Sequence, residues 1–162
     1  MEQKEYRPNV AVIIVNLSGK VLWCQRKQHD GWQFPQGGID KGETPVEAAL
    51  RETKEEVGLG EHDIEIVYES QQWFKYKVPK EKRTGYFTKK IFFGQKQKWF
   101  LARLLSDENK IDLNAYRPIE FDKWVWANYW HPINAVVSFK KETYRQALLS
   151  ILPEYNKLTK KL

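Results

Sequence analysis

GGIDKGETPVEAALRETKEEVGL, residues 37–59, sets a glycine turn before a short helix that carries an acidic cluster. Glu52, Glu55 and Glu56 stand at i, i+3 and i+4, so their carboxylates share one helix face. Like charges stacked this way repel and weaken a helix unless a counter-charge is near. Basic neighbours would supply it; a hard divalent cation supplies it better, because carboxylate oxygens suit Mg²⁺ or Mn²⁺. The bland alternative is a solvated acidic face. The helix itself is well punctuated. Thr44, Pro45 and Glu47 read as N-cap, N1 and N3 of a capping box, and Gly58 suits a left-handed C-terminal position. Glu47 and Arg51 make an i,i+4 pair of the favoured orientation.

Outside this stretch, the 162 residues suit one domain with a sizeable core. A net charge of +6 favours polyanionic partners, nucleic acid among them. Cys24 is the one cysteine, which excludes an intrachain disulfide and a cysteine zinc site. The N-terminal MEQKEYRPN is charged from residue 2 and lacks a signal peptide's apolar core. No apolar run approaches membrane-spanning length, so a cytoplasmic protein with no membrane partner is the expectation.

Val10 to Val15 and Val21 to Cys24 read as a hairpin turning at Ser18-Gly19-Lys20, its first strand buried on both faces. Arg7 precedes it and Arg26 follows it; as isolated residues both read as solvated charges. The paired glycines of QFPQGGI suit close approach of backbone to phosphate. Residues 64–78 are mostly strand-like, whereas 80–94 have a poor pattern and read as a loop, over a cleft or simply at the surface. QKQKWFLARLL, 95–105, reads as a strand that begins wet and ends in the core, and 106–116 as a loop. Glu120 sits just before another strand. His131 has no histidine partner nearby and is given no catalytic role. From Phe139 the chain is helical, with Tyr144, Ala147, Leu148, Ile151, Leu152 and Tyr155 as the packed face. Pro153 is expected to kink or end that helix, and the basic tail NKLTKKL to fray.

Gly37, Glu43, Arg51, Glu52, Glu55, Glu56, Gly58 and Leu59 together resemble, position by position, the signature box of the Nudix hydrolases. One position departs: Thr53 stands where the box has an aliphatic residue, on the face expected to pack. The resemblance implies an α/β/α sandwich with a central mixed sheet. It implies a single domain at 6–149, with 150–162 as the end of the C-terminal helix and a basic tail. It further implies hydrolysis of a nucleoside diphosphate linked to another group, with divalent metal held by Glu52, Glu55, Glu56 and the Gly37 carbonyl. Glu52 or Glu56 would serve as proton acceptor, and Arg51 would orient the helix by pairing with Glu43.

YRPNV at 6–10, WQFPQGGI at 32–39, QKQKWF at 95–100, EFDKWVW at 120–126 and VVSFK at 136–140 look like the bacterial RNA pyrophosphohydrolases. That likeness implies a substrate, the 5′-triphosphate or diphosphate end of single-stranded RNA, converted to a monophosphate so that the transcript is opened to decay. By the same likeness Glu120 is a further metal-associated carboxylate and Arg7 contacts the phosphate chain. Arg26 and Phe139 sandwich a base, with Lys140 beside them; guanidinium suits phosphate, and Arg and Phe planes suit a splayed-out base. Diadenosine polyphosphates are the alternative substrate. A binding module that kept the box without catalysis is the alternative class, and clustered carboxylates that repel RNA without metal argue against it.

Overall fold

Strand β1, Tyr6–Val15, is the spine of the protein, and its burial follows from its sequence. Every residue from Asn9 to Val15 is buried, and the β-branched side chains alternate between two cores. Ala11, Ile13 and Val15 enter one core with Trp23, Phe34 and Trp99; Val10, Val12 and Ile14 enter the other with Ala48, Ala49 and Phe100. This computed structural model describes residues 6–29, 31–84 and 92–162. Asp30 and residues 85–91, the middle of the loop expected at 80–94, lie outside them.

The other strands are β2 (Val21–Arg26), β3 (Trp32–Gln33), β4 (Gln36–Gly38), β5 (Ile64–Glu69), β6 (Phe74–Lys77), β7 (Gly94–Leu104) and β8 (Phe121–Ala127). They form one mixed sheet. Its central path runs β3-β2-β1-β7-β5, with β4 on β1, β6 on β7 and β8 on β2. β1 and β7 run parallel over their whole length, while the remaining pairs are antiparallel. Helix α1, Pro45–Val57, covers one face of the sheet and α3, Lys141–Thr159, the other, with the short α2, His131–Ala135, beside α3. The sandwich expected from the sequence is the fold observed. No helix among the described residues is long and apolar enough to cross a membrane.

Three expectations need correction. The hairpin pairs β1 with β2 only at Val15↔Val21; β2 then diverges to pair with β8, and β4 takes the vacated edge of β1. β7 does not begin wet. Gln95 and Gln97 are buried, and the Gln97 amide is satisfied there by donating to Asn9 Oδ1 (2.8 Å) and to Gln36 Oε1 (3.1 Å). Pro153 does not end α3, and the tail does not fray. The helix continues to Thr159 because Leu158 is buried in the core and Tyr155 donates its hydroxyl to the Gly19 carbonyl.

Candidate active site

Helix α1 starts and stops where its sequence directs. Thr44 Oγ1 accepts from Glu47 N–H (3.2 Å), Glu47 Oε2 accepts from Thr44 N–H (3.0 Å), and Gly58 closes the helix at φ 75°. Thr53 is fully buried, as its place in the box requires, but its hydroxyl finds no partner. Arg51 fixes the preceding turn to the helix. It donates to Glu43 Oε2 (2.8 Å) and Oε1 (2.9 Å) and to the Gly38 carbonyl (2.8 Å), and Nη1 reaches Glu52 (2.8 Å) and Glu55 (3.3 Å). The expected pairing with Glu43 is therefore present, and it extends to two of the clustered glutamates.

The carboxylates differ in their surroundings. Glu56 is buried, and Oε1 accepts from the Gln36 N–H at 2.8 Å. Burial first, then the charge of Glu52, raises its pKa well above the ordinary carboxylate value; Glu120 and Glu55 add to this, and the Gln36 hydrogen bond opposes it. Glu52 is half-buried and also raised, chiefly by burial, against the pull of Arg51. Glu55 and Glu120 are exposed, Glu120 at the mouth of β8. Gly37 is tightly matched to the helix: a Cβ there would lie 1.9 Å from Glu52 Cδ. Among the described residues no three acidic, imidazole or thiol side chains converge closely enough to hold an ion as they stand. The donor chemistry nonetheless fits one. The groups are oxygen donors, Glu56 is buried, and the strongest charges acting on it are other carboxylates that a divalent cation would neutralise.

Beyond Gln36 the glutamate cluster adjoins a cleft of about 460 Å³. Arg26 from the end of β2, Tyr76 from β6, Gln95 from β7, and Phe139 and Lys140 from the turn before α3 line it. Arg26 and Phe139, expected from the sequence to sandwich a base, both line this cleft. Phe139 is half-buried rather than a surface ring, 5.9 Å from the Tyr76 ring, with Lys82 Nζ 5.6 Å from its own centroid. Lys140 departs furthest from its sequence surroundings. It is only 5% exposed, its Nζ donates to Gln33 Oε1 (3.1 Å), and it lies 5.4 Å from the Tyr76 ring centroid. Burial, then the nearby Arg26 charge, lowers its pKa to about 7, while Glu56 opposes. Arg7, half-buried on β1, lies flat against Gly38; a Cβ there would sit 2.1 Å from its Nη2. His131 is exposed and does not line the cleft.

Sequence reasoning missed Gln36, which joins the two halves of the site. Its backbone N–H holds Glu56, and its side chain stands on the Asn9–Gln97 amide pair and reaches Tyr76 in the cleft. The alternating glutamines of QKQKWF were the available signal, since inward polar residues on a central strand require partners.

Fold and site together define a class, hydrolases that act on phosphoanhydride bonds. The NUDIX domain family matches residues 5–155, and the chain belongs to that family. The RNA pyrophosphohydrolase of Mannheimia succiniciproducens is 50% identical over 143 residues, 88% of this chain and 72% of that protein. The RNA pyrophosphohydrolase of Francisella tularensis subsp. mediasiatica is 48% identical over 149 residues, 91% of this chain and 94% of that protein. Among solved structures, the E. coli dihydroneopterin triphosphate pyrophosphohydrolase matches with a TM-score of 0.67 at 20% identity, covering 90% of this chain and 98% of that one. That last likeness is one of fold.

Proposed function

We propose that the protein is an RNA 5′-pyrophosphohydrolase. It converts 5′-triphosphate or diphosphate ends to monophosphates, releases pyrophosphate or phosphate, and so exposes transcripts to decay in the cytoplasm. One observation carries the reading: a cleft with a guanidinium, Arg26, and a phenyl ring, Phe139, adjoins the carboxylate cluster through a single residue, Gln36. A base lodged in the cleft leaves its 5′-phosphates beside the glutamates. The names of relatives near half identity support the same substrate.

In this reading Glu52, Glu55, Glu56, Glu120 and the Gly37 carbonyl hold Mg²⁺ or Mn²⁺. The ion supplies Lewis acidity at the phosphate oxygens and lowers the pKa of the attacking water. Glu52 or Glu56 takes the water's proton, the buried Glu56 being the more basic by its surroundings. Arg7 neutralises the phosphate chain from its seat on Gly38. Arg26 and Phe139 hold the base and Lys140 reads its edge, in a cleft where Tyr76 forms the wall. Diadenosine polyphosphates remain the second reading, because a guanidinium–phenyl slot accepts an adenine as readily as an RNA base. The test is release of phosphate or pyrophosphate from 5′-triphosphorylated RNA. Release that requires Mg²⁺ and stops on chelation supports the proposal, and the absence of release at saturating Mg²⁺ refutes it.

A further inference from the structure

The ribbon made by β6 and β7 has two faces, and only one lines the cleft. Tyr76 and Gln95, a cross-strand pair, line the cleft; their neighbours Lys75 and Lys96, also directly paired, project from the opposite face. Lys77 lies two residues along the same face, and Lys98 continues it on β7. Like charges directly opposite in an antiparallel pair destabilise it. Among the described residues none of these four lysines has a carboxylate partner, although Arg103, Arg145 and Lys157 do.

They lie instead over aromatic rings. Lys75 Nζ is 5.1 Å from the Tyr6 centroid, Lys77 5.3 Å from Phe93, and Lys96 and Lys98 4.9 and 5.4 Å from Trp73. Lysines on an edge strand commonly guard it against pairing with other chains, which would account for Lys75 and Lys77 on β6. It does not account for Lys96 and Lys98, because β7 is an inner strand between β1 and β5/β6. Lys98 also donates to the Ser70 and Gln71 carbonyls, so part of its role is structural.

This face connects with the cleft. Lys82 stands over Phe139 inside it, the next residue Arg83 lies 6.0 Å from the Phe93 ring, and Phe93 meets Tyr6 edge-on at 5.4 Å. Charges and rings therefore alternate from the base slot, round the end of the ribbon, to Trp73. Positive charge along a backbone path with rings for stacking is what binds single strands without regard to sequence.

We propose that this face is the track for the body of the RNA, the nucleotides downstream of those held in the cleft. The proposal rests on the RNA reading of the site. Lys75, Lys77 and Lys96 pair with successive phosphates, and Tyr6, Phe93 and Trp73 offer stacking surfaces. The expected consequence is a preference for long substrates over short ones.

The test compares the intact protein with a Lys75→Ala/Lys77→Ala/Lys96→Ala variant on 5′-triphosphorylated strands of about three and about twelve nucleotides, with a melt to establish that the variant is folded. Wild type should favour the longer strand by about tenfold or more in kcat/KM at low salt, with a log–log salt dependence steeper by about two than the variant's, near 0.7 per phosphate. The variant should lose that preference while keeping wild-type kcat/KM on the short strand, and the triple Lys→Arg variant should retain it. A variant that keeps the preference and the salt slope overturns the track, as does a wild type indifferent to length. If neither strand is hydrolysed, the functional reading fails instead. Fluorescence anisotropy with a 5′-hydroxyl RNA of about twelve nucleotides then judges the track alone, and equal binding by wild type and variant overturns it.

Discussion

Replacing Lys140 with methionine should stabilise the protein in mild acid and destabilise it in alkali. The Lys140 ammonium is buried against Tyr76 of β6, donates to Gln33 of β3, and feels Arg26 of β2 and Glu56 of α1. Its pKa falls from the ordinary 10.5 to about 7, with burial the main cause. Between those values the unfolded chain binds the proton that the folded chain has released, so stability rises with pH across this window. Below about pH 7 both states are protonated, and the full cost of burying the charge is present, on the order of 3–5 kcal/mol. Methionine removes that cost but leaves Gln33 Oε1 without its donor, which costs about 1–3 kcal/mol. Lys140→Met should therefore be more stable than wild type by about 1–3 kcal/mol near pH 6 and less stable by a similar amount near pH 10, the sign changing at about pH 9. Urea midpoints of both proteins at several pH values, read at constant m, provide the assay. A stability difference that does not vary with pH would rule out a buried ammonium at Lys140, which must give a titrating one.

Glu56→Gln should lower turnover on triphosphorylated RNA by about a thousandfold or more, on the order of 4 kcal/mol. It should leave the melting temperature unchanged or raised, since a buried carboxylate among carboxylates becomes neutral; near-wild-type turnover at saturating Mg²⁺ would remove Glu56 from the site. Phe139→Ala should weaken kcat/KM on RNA by about ten- to a hundredfold, the value of one base–aromatic stack. Normal kinetics combined with a large drop in melting temperature would make Phe139 a packing residue only. Arg7→Ala should reduce activity on triphosphate ends while the melt stays close to wild type. A destabilised protein whose folded fraction is fully active would mean that Arg7 only supports Gly38.

Helix α1 could be read from the sequence in detail because its determinants are local. The capping pair, Pro45, the carboxylate spacing and Gly58 all act within a few residues of one another. The double burial of β1 was legible for a similar reason, since an unbroken β-branched run has no polar face to give to water. The neighbours of a residue across the fold were not legible. Lys140, between Phe139 and Lys141, looks solvated until the turn before α3 directs it at Gln33, far away in the sequence. Gln97 looked wet because its amide partners, Asn9 and Gln36, come from two other strands. Pro153 was overruled in the same way, by core contacts beyond it that local propensity cannot register.

Selection of an RNA end by the cleft beside the glutamates is the property on which the proposed function stands. Its most direct test measures kcat/KM with Mg²⁺ for 5′-triphosphorylated RNA, 5′-diphosphorylated RNA and diadenosine tetraphosphate side by side. The RNA ends should be the better substrates, and Phe139→Ala should narrow their advantage. Faster hydrolysis of diadenosine tetraphosphate, with the RNA ends left intact, would contradict it.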